Sequence, residues 1–261
     1  MSRIWIPLPD RDFDVTEVAV PWKQLTRAGH QVVFTTEHGG AAPRADQRLL
    51  DGVLFGQLGA AEEPIRFYRE LEQSAEFRAP ASWRGLDVGG FDALLLPGGH
   101  APGMRQYLGS AELQERVAAF WKLGRPVGAI CHGVLVAARS VDPATGRSIL
   151  RDARTTCLPR YMERSAYWLT AWRLGKYYRT YPAYVEDEVK GALADPARQF
   201  VRGPRVLVRR GTEADDSAAF VVEDGRYVSA RWPGDAYRFG RALMARLGPA
   251  VASTAPAARA G

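Results

Sequence analysis

Cysteine and histidine stand side by side at Cys131-His132, inside the run PVGAICHGVLVAARS (residues 126–140), where a short apolar strand pattern gives way to a helical one. An α/β sheet presents side chains for chemistry at such junctions, so Cys131 is a candidate nucleophile. Gly128 to Gly133 resembles the G-x-S-x-G turn, with Ala129 where the first glycine would stand and Gly133 matching the second. Small residues relieve crowding at a sharp strand-to-helix turn. A thiol there sits near the positive end of the following helix, which predicts a lowered pKa and a thiolate. The competing reading is a small apolar cysteine filling a core.

The base for such a nucleophile is narrowed by counting, because the chain has four histidines, His30, His38, His100 and His132. None follows position 132, so neither a hydrolase triad with a downstream histidine nor a late His-x-Glu of the glutamine amidotransferase type can be assembled. His132 remains as candidate base, against a plain role as a helix-start residue. His30, after the helix-ending Gly29, reads as a surface residue, while His38 and His100 fall in loops able to line a pocket. In the loop Pro97-Gly98-Gly99-His100, the glycine amides together with that of His132 are candidates for holding an oxyanion. The same glycines also suit a tight turn. Glu17 taken alone is a first-turn acid favoured by the helix dipole. Cys157 belongs to a predicted strand after Arg154 and reads as core. Two separated cysteines and four scattered histidines show no paired ligand spacing, so neither a metal nor another cofactor is expected.

These residues need a scaffold, and the patterning supplies one. Strand-like and helical segments alternate, which predicts an α/β fold with a mainly parallel sheet and helices on both faces. Strands are expected at 3–7, 31–36, 93–96, 127–130, 205–209 and 220–229, the last turned by Asp224-Gly225. Helices are expected at 16–28, bent by Pro21, then at 65–72, 110–123, 161–172 and 235–247. Residues 1–247 read as one domain with insertions near 38–80 and 160–204, followed by a disordered Ala/Pro/Ser-rich tail at 248–261. With 261 residues and 46% hydrophobic content, such a core is affordable in size. The 35 basic and 29 acidic residues are scattered and give a net +6, so neither a nucleic-acid partner nor a membrane partner is expected. Two cysteines and a start without an apolar leader point to a reducing cytoplasm.

Taken together, several segments resemble the ThiJ/PfpI superfamily, within the class I glutamine amidotransferase-like fold, and more narrowly its heat-shock chaperone and glyoxalase III branch. They are Thr16-Glu17 opening the first helix, AGHQVVFTTEHGG at 28–40, ALLLPGGHAPG at 93–103 and GAICHG at 128–133, with weaker echoes in VEDEVKGA at 185–192 and VEDGRYVSARWPGDA at 222–236. The resemblance implies a flavodoxin-like three-layer sandwich with its site outside the carboxyl ends of the strands. It implies that Glu17 contacts the Cys131 thiol, and that His132 is oriented by a later acid, Glu163 or else Asp152. It implies a small electrophilic substrate and a homodimer.

The activity so implied is conversion of a 2-oxoaldehyde to a 2-hydroxy acid, the glyoxalase III or D-lactate dehydratase reaction, through a Cys131 hemithioacetal. A stress-type holdase, a redox sensor and a hydratase of another electrophile, such as an isonitrile, are the alternatives. The chain also departs from the branch. Ser229-Ala230-Arg231-Trp232-Pro233 replaces a Thr-Gly segment and an Asn-Pro turn, and residues 161–184 interleave Trp168, Trp172, Tyr177, Tyr178 and Tyr181 with Arg164, Arg173, Lys176 and Arg179. Such a stretch is suited to cap the site and widen an apolar pocket, or else to serve as core or dimer contact.

Overall fold

Four-residue runs without a polar side chain, Ala93–Leu96 and Val127–Ile130, are buried at every position, as strands covered on both faces must be. They lie at the centre of a seven-stranded sheet in a computed structural model that describes residues 1–247 apart from Thr180 and Leu207. Its strands are β1 (Arg3–Pro7), β2 (Gln31–Thr36), β3 (Ala81–Ser82), β4 (Ala93–Leu96), β5 (Val127–Ile130), β6 (Val221–Asp224) and β7 (Tyr227–Ala230). The order across the sheet is β6-β7-β5-β4-β1-β2-β3, and every pairing is parallel except the β6–β7 hairpin. That hairpin closes through Gly225-Arg226, with Gly225 at φ +56° accepting the twist of a two-residue loop.

The helices that matter to the site are α1 (Val15–Arg27), α2 (Glu62–Leu71), α3 (Ala111–Lys122), α4 (Gly133–Arg139), α5 (Arg160–Leu174), α6 (Val185–Ala192) and α7 (Ala236–Met244). Asp14 caps α1 by accepting from the amides of Thr16 and Glu17, and Ser110 caps α3 in the same way at Leu113. α1 packs between α2 and α7, so its N-terminus is fixed at the carboxyl ends of β1 and β4. No helix among the described residues is long and apolar enough to cross a membrane.

Three expectations change. Residues 205, 206, 208 and 209 form no strand: the sheet ends in its hairpin, and Val208 is 83% exposed rather than packed on a sheet face. Cys157 follows an isolated bridge between Thr155 and Phe200 rather than lying in a strand, although it is fully buried. The last helix begins at Ala236, after a single 3₁₀ turn at Pro233–Asp235, and ends at Met244. The expected disordered tail at 248–261 lies outside the described residues.

Candidate active site

Cys131 is one of the few non-glycine residues with positive φ, +57°, a conformation that costs an L-residue energy and recurs where a turn must aim a side chain. Its amide donates to Ala230 O at 3.0 Å, which ties the turn to β7. The glycines around it are required by contact. A Cβ on Gly133 would stand 2.1 Å from Leu96 O, and one on Gly98 would stand 2.7 Å from His132 N and 2.9 Å from Glu17 Oε2. The glycine loop after β4 can therefore press directly on the cysteine turn after β5.

Glu17 enters from the first turn of α1. Its Oε2 accepts from Gly98 N at 2.8 Å, while Oε1 is buried with no conventional hydrogen-bond partner and the carboxyl lies against the Cys131 thiol. Burial, reinforced by the charge of Asp14, pushes Glu17 well above the usual carboxylate range. Burial likewise pushes Asp14 up to about 6, against the pull of its two capping amides. Glu17 thus faces the sulfur as a protonated acid. On the other side His132 Nδ1 lies 3.5 Å from Cys131 Sγ, and the His100 ring meets the His132 ring edge-on at 4.6 Å. Desolvation pulls His132 well below its ordinary value and His100 down to about 4, although His100 reaches the cavity above, so both rings are neutral.

The expected thiolate meets opposing physics. Burial, then the Glu17 charge, push the Cys131 thiol up, and the His132 amide at the start of α4 pulls less strongly in the other direction. A helix N-terminus favours an anion only where desolvation does not outweigh it. Gly98 also departs from expectation, because its amide already serves Glu17. Gly99 and His132 remain as candidate oxyanion donors.

Neither expected acid lies on His132. Glu163, buried on α5, accepts from the Val185 amide at 3.0 Å and from Arg179 at 3.4 Å, and so fastens α5 to the start of α6. Burial pushes it up to about 7. Asp152 pairs with Arg151 and is largely exposed. His132 instead has His100 as its neighbour, and the donor atoms of His100, Cys131 and His132 all lie within 4.8 Å of one another, a grouping able to hold a metal ion. Sequence spacing could not show it, since His100 is supplied by a different strand end.

The interleaved aromatic stretch covers this chemistry. Asp46 accepts from the hydroxyls of Tyr177 and Tyr178 at 3.1 and 3.0 Å, which holds the Tyr178 ring edge-on to His100 at 6.1 Å. With α5 it encloses a cavity of about 220 Å³ whose wall is mainly aliphatic and whose polar members include Asp14, His100 and Arg210. Asp14 and Arg210 were not singled out in the sequence; the N-cap position of Asp14 was the available signal.

Comparison with known proteins settles the family. A model described as ThiJ/PfpI family-like matches residues 8–204. The chain belongs to the ThiJ/PfpI-like family. Among relatives in sequence, an uncharacterized protein of Schizosaccharomyces pombe is 27% identical over 92% of this chain and 82% of its own. Protein/nucleic acid deglycase 2 of Escherichia coli is 30% identical over 57% of this chain and 70% of its own. Glyoxalase III of Candida albicans has the same fold, with a TM-score of 0.60 at 16% identity, covering 94% of this chain and 97% of that one. These likenesses bear out the flavodoxin-like α/β sandwich.

Proposed function

We propose that this ThiJ/PfpI-like protein is a cofactor-independent cysteine enzyme that converts a 2-oxoaldehyde to a 2-hydroxy acid. The observation that carries the reading is the convergence of a protonated Glu17 and a neutral His132 on the strained Cys131 thiol. The fold likeness to glyoxalase III and the sequence likeness to deglycases are consistent with it.

In this scheme the thiol passes its proton to His132 as sulfur adds to the aldehyde carbon, giving a hemithioacetal whose oxygen is held by the Gly99 and His132 amides. Glu17 protonates that oxygen. His132 passes the thiol proton on to the Glu17 carboxylate and then takes the hydrogen from the same carbon, forming an enediolate. Glu17 gives a proton to the second oxygen and takes one from the first, and His132 returns its proton to the neighbouring carbon. The result is a thioester of the 2-hydroxy acid. Water hydrolyses it, so that one aldehyde and one water give one acid and the free thiol. Purified protein incubated with methylglyoxal without glutathione should yield lactate, and Cys131→Ala should abolish it. A variant as active as the parent would remove the mechanism.

A second reading rests on a different observation. Phe55, Trp168, Leu169 and Trp172 are 76, 70, 57 and 68% exposed, and the Phe55 and Trp172 rings stack at 6.3 Å. An apolar surface of this kind suits a holdase. If it holds clients, Cys131→Ala should suppress aggregation of a heated protein as well as the parent does, and Trp168→Ser/Trp172→Ser should fail.

A further inference from the structure

We propose that the cavity bordered by Asp14 and by His100, the neighbour of His132 and Cys131, binds substrates that join an apolar body to an anionic group, and that Arg210 is the residue that selects the anion. The inference rests on the cysteine-enzyme reading for the chemistry but not for the binding.

The cavity volume, about 220 Å³, is more than a three-carbon aldehyde occupies, and Leu49, Val53, Leu158, Met162 and Leu169 give it an aliphatic wall. Water in such a space gains few hydrogen bonds, so an apolar body of matching size would displace it favourably. Leu58 and Leu169 line the cavity and are also 49 and 57% exposed, which makes its mouth apolar as well.

Arg210 breaks this wall. Three other arginines nearby in the chain have carboxylate partners, Arg202 on Glu186, Arg209 on Asp215 and the fully buried Arg231 on Asp235, while Arg205 lies over the Tyr161 ring and does not line the cavity. Among the described residues Arg210 makes no salt bridge. Its guanidinium lies 5.8 Å from the Trp232 ring centre, and both residues line the cavity. Asp14, which also lines the cavity, already gives Oδ1 to the amides of Thr16 and Glu17 and feels Arg210 only as a charge. A guanidinium set in a cavity wall without its own carboxylate is fitted to a ligand carboxylate, which it can grip with two parallel hydrogen bonds. Because Arg210 acts on Asp14, and Asp14 caps the helix carrying Glu17, the anion would sit on the catalytic side of the cavity.

Binding can be measured without turnover, using the full chain and inert probes. By calorimetry, 4-methylpentanoate should bind at least ten-fold tighter than 4-methylpentanamide and than acetate, and should slow iodoacetamide labelling of Cys131. Arg210→Ala should weaken 4-methylpentanoate at least ten-fold and leave the amide within two-fold, with Arg210→Lys between them. Equal affinity for acid and amide, no binding of either, or an unaffected Arg210→Ala would overturn the proposal. In kinetics, a 2-oxoaldehyde ending in a carboxylate should surpass methylglyoxal in kcat/KM, and the advantage should vanish in Arg210→Ala. Anion-selective binding with no oxoaldehyde turned over would sink the enzyme reading and keep the subsite; turnover without that selectivity would do the reverse.

Discussion

At Cys131 the chemistry is governed by what surrounds a thiol that water barely reaches. A protonated carboxyl on one side and a neutral imidazole on the other make proton transfer local to the sulfur, so the nucleophile need not exist as a standing thiolate. The pH dependence follows from the sign of each interaction. Since burial and the charge of Glu17 both raise the thiol, iodoacetamide labelling of Cys131 should rise with a midpoint above the roughly 8.5 of a free cysteine. Glu17→Gln removes a carboxyl that, once it ionises at higher pH, opposes a second charge on the sulfur, and so should move that midpoint to lower pH, while at neutral pH turnover falls at least ten-fold for want of the acid. A midpoint below 8.5 in the parent, or no shift in the variant, would contradict the pairing of Glu17 with Cys131. Glu163→Gln, by contrast, should keep most of the activity, because its carboxyl serves the Val185 amide and Arg179 rather than His132.

Elements meet at the site through contacts that tolerate little. Gly133→Ala would place a methyl 2.1 Å from the Leu96 carbonyl, with backbone on both sides of the clash, and should destabilise the protein by about 3 kcal/mol or more in urea unfolding. Tyr178→Phe leaves the fold but removes one of the two hydroxyls on Asp46; we expect a loss of about 1–2 kcal/mol and a raised KM with Cys131 labelling unchanged. The cysteine turn was legible because its determinants are local: small residues at fixed offsets between a buried strand and a helix. The strands at 3–7, 31–36, 93–96 and 127–130 were legible for the same reason, their apolar runs stating burial directly. The partner of Glu163 was not, since it depends on how α5 packs on the start of α6, 22 residues away. Arg210 was hidden among neighbouring arginines because its place in the cavity wall, without a salt bridge of its own among the described residues, exists only in three dimensions. The strand expected at 205–209 is not formed by Arg205, Val206, Val208 or Arg209, because alternation marks a face without naming a strand that would pair with it.

For the molecule as a whole, buried acids make stability depend on pH in opposite directions. Glu186 is held down to about 2, despite the opposing effect of burial, by Arg202, Lys190 and the Arg160 amide, so what it contributes is present above the ordinary carboxylate value and lost as pH falls toward 2. Glu163 works the other way. A carboxyl raised from 4.5 to about 7 binds its proton more tightly in the folded chain than in the unfolded one, so stability must fall as pH rises across that interval. The shift corresponds to at most roughly 3 kcal/mol, at about 1.4 kcal/mol per pH unit. Glu163→Gln can still accept from the Val185 amide but cannot ionise. Urea unfolding of the parent should therefore show declining stability between pH 5 and 8, and the variant should lose much of that slope, gaining on the parent most at pH 8. If the two slopes coincide, the buried carboxyl is not the group that titrates, and its place as an uncharged link between α5 and α6 would have to be abandoned.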